Sequence, residues 1–164
     1  MNLASTFTEK AQTEGEDTND VLIRNYTSVG SMQGMGKIEV EAREIVVPDR
    51  RHVAYFVKVS AESMDDFPQT SVALLQYDNL PKLIASIDKL AGSNIKTDRF
   101  AFSEVEYEVD GVKIIVFNDA RGKILFVICI GSVSVHFNGL NRLPEFKELI
   151  LRAKRHLDQH RIEF

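Results

Sequence analysis

The sequence is poor in cysteine and has no long apolar run. Cys129 is the only cysteine among 164 residues, which excludes an intramolecular disulfide framework and is typical of a reducing compartment. No segment has the apolar length of a membrane-spanning helix, and the first 20 residues lack the basic and apolar regions of an intact signal peptide. We therefore expect a cytoplasmic protein with no membrane insertion and a disordered N-terminal lead over residues 1–20.

The chain also lacks an excess of basic residues. Its 20 Lys and Arg against 24 Asp and Glu give a formal net charge of −4, which disfavours a dedicated nucleic-acid binder. A hydrophobic content of 44% and a charged content of 27% are those of an ordinary soluble globular domain. Because a chain of this length suits one core better than two, we predict a single domain over residues 21–164.

The glycine-rich segment does not complete a phosphate-binding motif. Gly30, Gly34 and Gly36 precede Lys37. Five residues separate Gly30 from Gly36, where the phosphate-binding loop requires four. Ile38 stands where a Ser or Thr must contact magnesium. We therefore predict a flexible glycine loop here and expect no cofactor.

The histidines do not form a metal or catalytic set either. His156 and His160 have the i, i+4 spacing that lets two imidazoles share a metal, but the Glu of the zinc peptidase pattern does not follow His156. No third ligand can be assigned, so we interpret both as surface residues near a helix end. The sequence predicts no metal site and no catalytic residue.

Residues 102–137 have the pattern of a four-stranded antiparallel meander. Asp110 and Gly111 separate two apolar-rich runs, which predicts a type I′ hairpin turn because this turn needs a positive φ at both central positions. Gly131 and Ser132 predict a type II′ turn before the last strand. These turns fix the register, and the following residues are predicted to share the core face: Val105, Tyr107, Ile114, Val116, Ile124, Phe126, Ile128, Val133, Val135 and Phe137.

The opposite face of this meander is unusual because its central strands are also apolar. They carry Ile115, Phe117, Leu125, Val127 and Cys129, while the edges carry Glu104, Glu106 and Glu108 on one side and Ser132, Ser134 and His136 on the other. A solvated face should be polar throughout, so we expect this apolar group to be covered. The first three strands of the chain are the favoured cover, ahead of a second copy or a ligand. We interpret the glutamate row as an edge guard against aggregation.

The remaining segments predict three further strands and two helices. A hairpin over residues 37–47 and 52–60 precedes a short strand at 72–77. A first helix begins near Asn79 and ends at Gly92, and a longer amphipathic helix covers residues 142–160. Asn and Pro open both helices, which we attribute to their preference for helix starts rather than to a duplication.

The predicted order is about seven mostly antiparallel strands, with a helix after the third strand and an amphipathic helix at the C-terminus. This α+β order is similar in topology to pleckstrin-homology-like barrels, in which seven antiparallel strands form two sheets and a C-terminal helix closes one end. The resemblance implies a barrel or sandwich. The alternative is a single curved sheet with both helices on one face, which would leave the other face for a dimer.

Without a catalytic set, the sequence favours a non-enzymatic binding module over an enzyme. The candidate binding residues are Ile115, Phe117, Leu125, Val127 and His136, which would act through the apolar sheet face or as a self-association surface. A homodimer or another protein is the expected partner. The alternative is a small enzyme or an apolar-ligand-binding barrel with a sheet-face pocket near Glu106 and His136.

Overall fold

The computed structural model describes residues 20–95 and 98–164. The predicted disordered lead lies outside the described residues, apart from Asp20, whose carboxylate pairs with the Arg50 guanidinium at 2.5 Å. The described chain is an α+β protein with two antiparallel four-stranded sheets and two helices. No helix within these two ranges is long and apolar enough to cross a membrane.

Each sheet is a meander followed by one helix. The first sheet consists of β1 (Ile23–Gly34), β2 (Gly36–Val47), β3 (His52–Ser63) and β4 (Thr70–Gln76), and the helix α1 (Leu80–Ala91) follows it. The second sheet consists of β5 (Glu104–Val109), β6 (Val112–Asn118), β7 (Ile124–Ile130) and β8 (Val133–Phe137), and the helix α2 (Leu143–Gln159) follows it. The chain therefore repeats the order ββββα.

The prediction of seven strands is wrong, because the described residues form eight. The additional strand is β1, where we predicted a flexible glycine loop. Its glycines are required by close contacts: a Cβ atom at Gly34 would lie 2.5 Å from the carbonyl oxygen of His136, and one at Gly30 would lie 2.7 Å from the Leu149 side chain. Gly30 also has a φ of 148° beside a shift in the β1–β2 register. Here glycine permits close packing rather than a loop.

The predicted register of the second sheet is confirmed. Val109 lies opposite Val112, and Ile130 lies opposite Val133. Asp110 and Gly111 have φ angles of 49° and 85°, as a type I′ turn requires, and Gly131 has the positive φ of 56° expected at the first position of a type II′ turn. The meander was predictable because these turns fix its pairing locally.

The two sheets and both helices enclose one hydrophobic core. The core cluster includes Val40 and Val59 from the first sheet, and Phe126 and Phe137 from the second, whose rings stack at 4.7 Å. The predicted apolar stripe of α2 is buried: Leu143, Phe146, Leu149, Ile150, Ala153 and Leu157. Each large apolar side chain removed from water stabilises the fold by roughly 1.5–3 kcal/mol. Val105, at the open edge of the second sheet, is 38% exposed although we predicted it in the core.

The described strands pair into two separate four-stranded sheets, which excludes the alternative of a single curved sheet. Polar contacts also join the two halves of the fold at its two ends. At the tip of the first hairpin, the Met35 amide donates to the His136 carbonyl oxygen at 2.8 Å. At the other end, the Asp110 carboxylate accepts a hydrogen bond from the backbone N–H of Gln76 at 3.0 Å and one from the side-chain amide of Asn79 at 2.9 Å. Asn79 precedes α1 as predicted, but its side chain binds this turn rather than capping the helix.

Candidate interaction surface

The outer face of the second sheet, which points away from the core, carries an apolar patch. The apolar patch consists of Ile115 and Phe117 on β6 and Leu125, Val127 and Cys129 on β7. Val127 is 5% exposed and the other four side chains are half-buried. None of the five belongs to the core cluster of described residues. The structure therefore brings the predicted apolar residues together on one face.

The expectation that the first three strands cover this patch is wrong for the described residues. Those strands belong to the first sheet, which packs against the inner face. For example, the Val135 side chain, on the inner face of β8, lies 3.1 Å from where a Cβ atom at Gly36 would stand. The inner face is apolar on β8 as well as on the central strands, whereas the outer face carries Ser134 and His136 there. The larger continuous apolar face is the one that the chain buries.

Strand pairing arranges the outer face in three rows that start on β5, of which the first ends on β7 and the other two reach β8. The members of the rows are Glu104, Phe117 and Leu125; Glu106, Ile115, Val127 and His136; and Glu108, Lys113, Cys129 and Ser134. Each row begins with a glutamate on the edge strand β5. The second and third rows end with a side chain on β8 that can donate a hydrogen bond, the imidazole of His136 or the hydroxyl of Ser134.

The two borders of the apolar patch differ in their contacts. Glu108 pairs with Lys113 at 3.8 Å, whereas Glu104 and Glu106 have no ion pair with any residue that the structure describes. On the β8 side, the His136 ring meets the Phe117 ring edge to face at 6.3 Å. His136 therefore packs on the patch, while Glu104 and Glu106 of the glutamate border are open to a partner.

The sheet-face pocket proposed around Glu106 and His136 does not bring these residues together. They lie in the same row but on the two edge strands, with β6 and β7 between them. Three strand spacings place their backbones about 14 Å apart, which is too far for direct proton transfer between their side chains. The geometry does not support an acid–base pair at this position.

A small cleft lies between the end of α2 and the strands β1 to β3. It has a volume of about 180 Å³ and is lined by Glu44, Tyr55, His156 and His160, among others. The two imidazole rings stack at 4.3 Å. Among residues 20–95 and 98–164, no three His, Cys, Asp or Glu side chains are grouped to hold a metal. The cleft is also smaller than the roughly 300 Å³ at which ligand pockets begin.

An aromatic clamp beside this cleft fixes the end of the chain. The Arg161 guanidinium lies between the rings of Tyr55 and Tyr77, 5.1 and 4.7 Å from their centroids. The Tyr77 hydroxyl donates to Asp158, which raises the pKa of Tyr77 and, together with Lys154 at 2.9 Å, lowers the pKa of Asp158. These contacts join α2 to the first sheet, so we assign the clamp a structural role.

The sequence analysis missed two features near the apolar patch. Met35 is 59% exposed at the tip of the first hairpin, beside His136. Asp110 joins the second sheet to the start of α1, a contact that the Asp-Gly turn pattern did not indicate.

No protein-family model matches this chain, and no curated protein matches its sequence.

Proposed function

We propose that this protein is a non-enzymatic interaction module in which two copies associate through the apolar patch. The observation that carries the proposal is the position of the five patch residues, outside the core cluster and on the outer face. An apolar group of this kind on a protein surface marks an interface. The lone Cys129, a free thiol, supports a reducing compartment and thus a cytoplasmic location.

The two borders of the patch favour a second copy as its occupant. The patch offers the carboxylates of Glu104 and Glu106 along β5 and the imidazole of His136 along β8. The Ser134 hydroxyl already donates to the Cys129 Sγ atom at 3.4 Å. A second copy presents the same two borders, so each border of one molecule meets a complementary border of the other. Isologous contacts between identical patches are also the commonest way in which soluble proteins form closed oligomers.

The size of the whole outer face, the patch together with its two borders, indicates a weak, reversible dimer. Four strands at a spacing of about 4.8 Å and rows covering about five residues of strand give a face of roughly 300–400 Å². A standard interface buries about 800 Å² per partner, so this one falls at the small end. We therefore expect a dissociation constant on the order of 10–100 µM, with assembly that depends on concentration.

The substitution Leu125→Lys tests the proposal, because it places a charge in the middle of the patch. Wild type should show a sedimentation mass that rises toward the dimer with concentration. Leu125→Lys should remain monomeric, since association would bury an unpaired ammonium, but should keep the circular dichroism spectrum of wild type. The matched control is Val72→Lys, on the outer face of the first sheet, where Val72 is 51% exposed. This control should associate like wild type.

Three results would overturn the proposal. Unfolding of Leu125→Lys would mean that Leu125 belongs to the core, and a dimer in this variant would mean that copies associate elsewhere. A wild-type protein that stays monomeric at about 1 mM, well above the expected dissociation constant, would leave the patch to a different protein or an apolar ligand.

A further inference from the structure

We infer that the two copies pair about a two-fold axis parallel to the strands, so that Glu106 of each molecule faces His136 of the other. The inference rests on the proposed function and adds the geometry of pairing, which the order of side chains across the sheet determines. The middle row reads glutamate, apolar, apolar, imidazole from β5 to β8. It is the only one of the three rows with a carboxylate acceptor at one end and an imidazole, which can donate a hydrogen bond, at the other.

The direction of the axis decides which side chains meet. Rotation about an axis parallel to the strands reverses the order of the strands, so β5 of one molecule lies over β8 of the other. Each row then lies over the same row of the other molecule. Glu106 then faces an imidazole, and Glu108 faces the Ser134 hydroxyl. Rotation about an axis across the strands keeps their order and places β5 over β5. That arrangement opposes two glutamate rows, and such like-charge contacts disfavour association.

The same rotation matches the apolar residues. Ile115 lies over Val127, and Phe117 lies over Leu125, in each direction. Two packed sheets cross at about 30° because of their twist, so rows near the rotation centre stay aligned while outer rows diverge. The row of Glu106 and His136 is the middle one of the three. This row therefore gives the most direct test of the axis.

The experiment exchanges the charges at the two ends of this row. Both side chains are exposed and neither belongs to the core cluster, so the variants should fold like wild type. His136→Glu should weaken the dimer about tenfold, because glutamate then faces glutamate in two border pairs per dimer. Glu106→Lys should weaken it by a smaller factor, because the facing imidazole loses its carboxylate acceptor. The double variant Glu106→Lys/His136→Glu should return to within a few-fold of wild type, because each introduced lysine then faces an introduced glutamate.

Sedimentation at about 20 mM salt measures these affinities with little screening of exposed charges. The matched control is Glu62→Lys, the same change of charge on the first sheet, which should associate like wild type. With an axis across the strands, lysine would face lysine in the double variant, and association would not return. That result would overturn the inferred axis. The proposed function would still stand if wild type dimerised and the Leu125→Lys variant did not. If the Leu125→Lys variant also dimerised, both the inferred axis and the proposed function would fail.

Discussion

The outer faces of the two sheets differ, although the chain builds both sheets in the same order. On the first sheet, charged side chains pair with one another. Glu41 accepts from the Arg43 guanidinium at 3.2 Å and lies 3.6 Å from the Lys58 ammonium, and Arg43 also covers the Tyr26 ring at 5.0 Å. The central strands of the second sheet carry the apolar patch instead. The charged groups of the first face therefore pair with each other, whereas Glu104 and Glu106 at the border of the second face have no ion pair with any described residue.

Apolar side chains also occur on the first outer face, where the chain buries a cluster of them and leaves Val72 51% exposed. Ile45 and Phe56 are 8% and 3% exposed, and Leu22, Ala54 and Leu74 pack against them. Four of the five residues in the apolar patch remain half-buried. The comparison shows that the order of the strands does not determine an interaction surface. What determines it is whether the same chain covers the apolar residues, and among the described residues the larger uncovered apolar group lies on the second face.

The largest expected effect separates the two faces of one strand. Ile114 and Ile115 are neighbours on β6, but Ile114 is 0% exposed in the core and Ile115 lies in the patch. Ile114→Lys should unfold the domain, because an unpaired buried charge costs on the order of 5 kcal/mol, comparable to the whole stability. Ile115→Lys should change the free energy of unfolding by less than about 1 kcal/mol. Urea denaturation followed by circular dichroism measures both.

Similar destabilisation by the two substitutions would contradict the distinction between the inner and outer faces of the second sheet. It would mean that both faces of β6 lie in a core. A matched pair one strand further gives an independent check, since Phe126 is 0% exposed and Leu125 is half-buried. The two pairs should give the same order of stabilities.

The fold was predictable where turns fix the pairing locally. Two turns, at Asp110 and at Gly131, determined the register of the second sheet, and helical periodicity placed both helices to within a residue or two. β1 was not predictable in this way. Its glycines appeared to be loop residues because the contacts that require them come from distant parts of the chain, such as Leu149 for Gly30 and Phe137 for Gly34.

The patch residues were predictable from strand alternation, but their exposure was not. Both faces of β6 and β7 are apolar, so alternation could not show which face the first sheet covers. The edge strand β8 contained the necessary signal. It alternates Val133, Val135 and Phe137 on one face with Ser134 and His136 on the other. The polar edge marks the face that the chain leaves uncovered.

An intermediate effect is expected from two phenylalanines on the two outer faces. Phe56 is 3% exposed and buried by its own chain, so Phe56→Ala should cost about 3 kcal/mol of unfolding free energy. Phe117 is half-buried in the patch, so Phe117→Ala should cost only about 1 kcal/mol. Sedimentation should show the reverse order, with weakened association for Phe117→Ala alone. A stability loss for Phe117→Ala as large as that for Phe56→Ala would place Phe117 in a core.

The smallest expected effect compares two glutamates, one on each outer face. Glu41 is 16% exposed and contacts two cations, so Glu41→Gln should cost about 1 kcal/mol in urea denaturation at about 20 mM salt. The cost stays modest because Arg43 and Lys58, at 28% and 21% exposed, still reach water. Glu106 has no ion pair within the described chain, so Glu106→Gln should leave the free energy of unfolding within about 0.5 kcal/mol of wild type.

The association of these two variants should differ in the opposite sense. Glu106→Gln should weaken the dimer a few-fold, because an amide oxygen accepts a weaker hydrogen bond from the facing imidazole than a carboxylate does. Glu41→Gln should leave the dimer unchanged. Raising the salt to about 500 mM should reduce the stability loss of Glu41→Gln, since the ion pairs of Glu41 with Arg43 and Lys58 are screened by salt. If Glu41→Gln also weakened the dimer, the first outer face would take part in association. The difference between the two faces would then be one of degree.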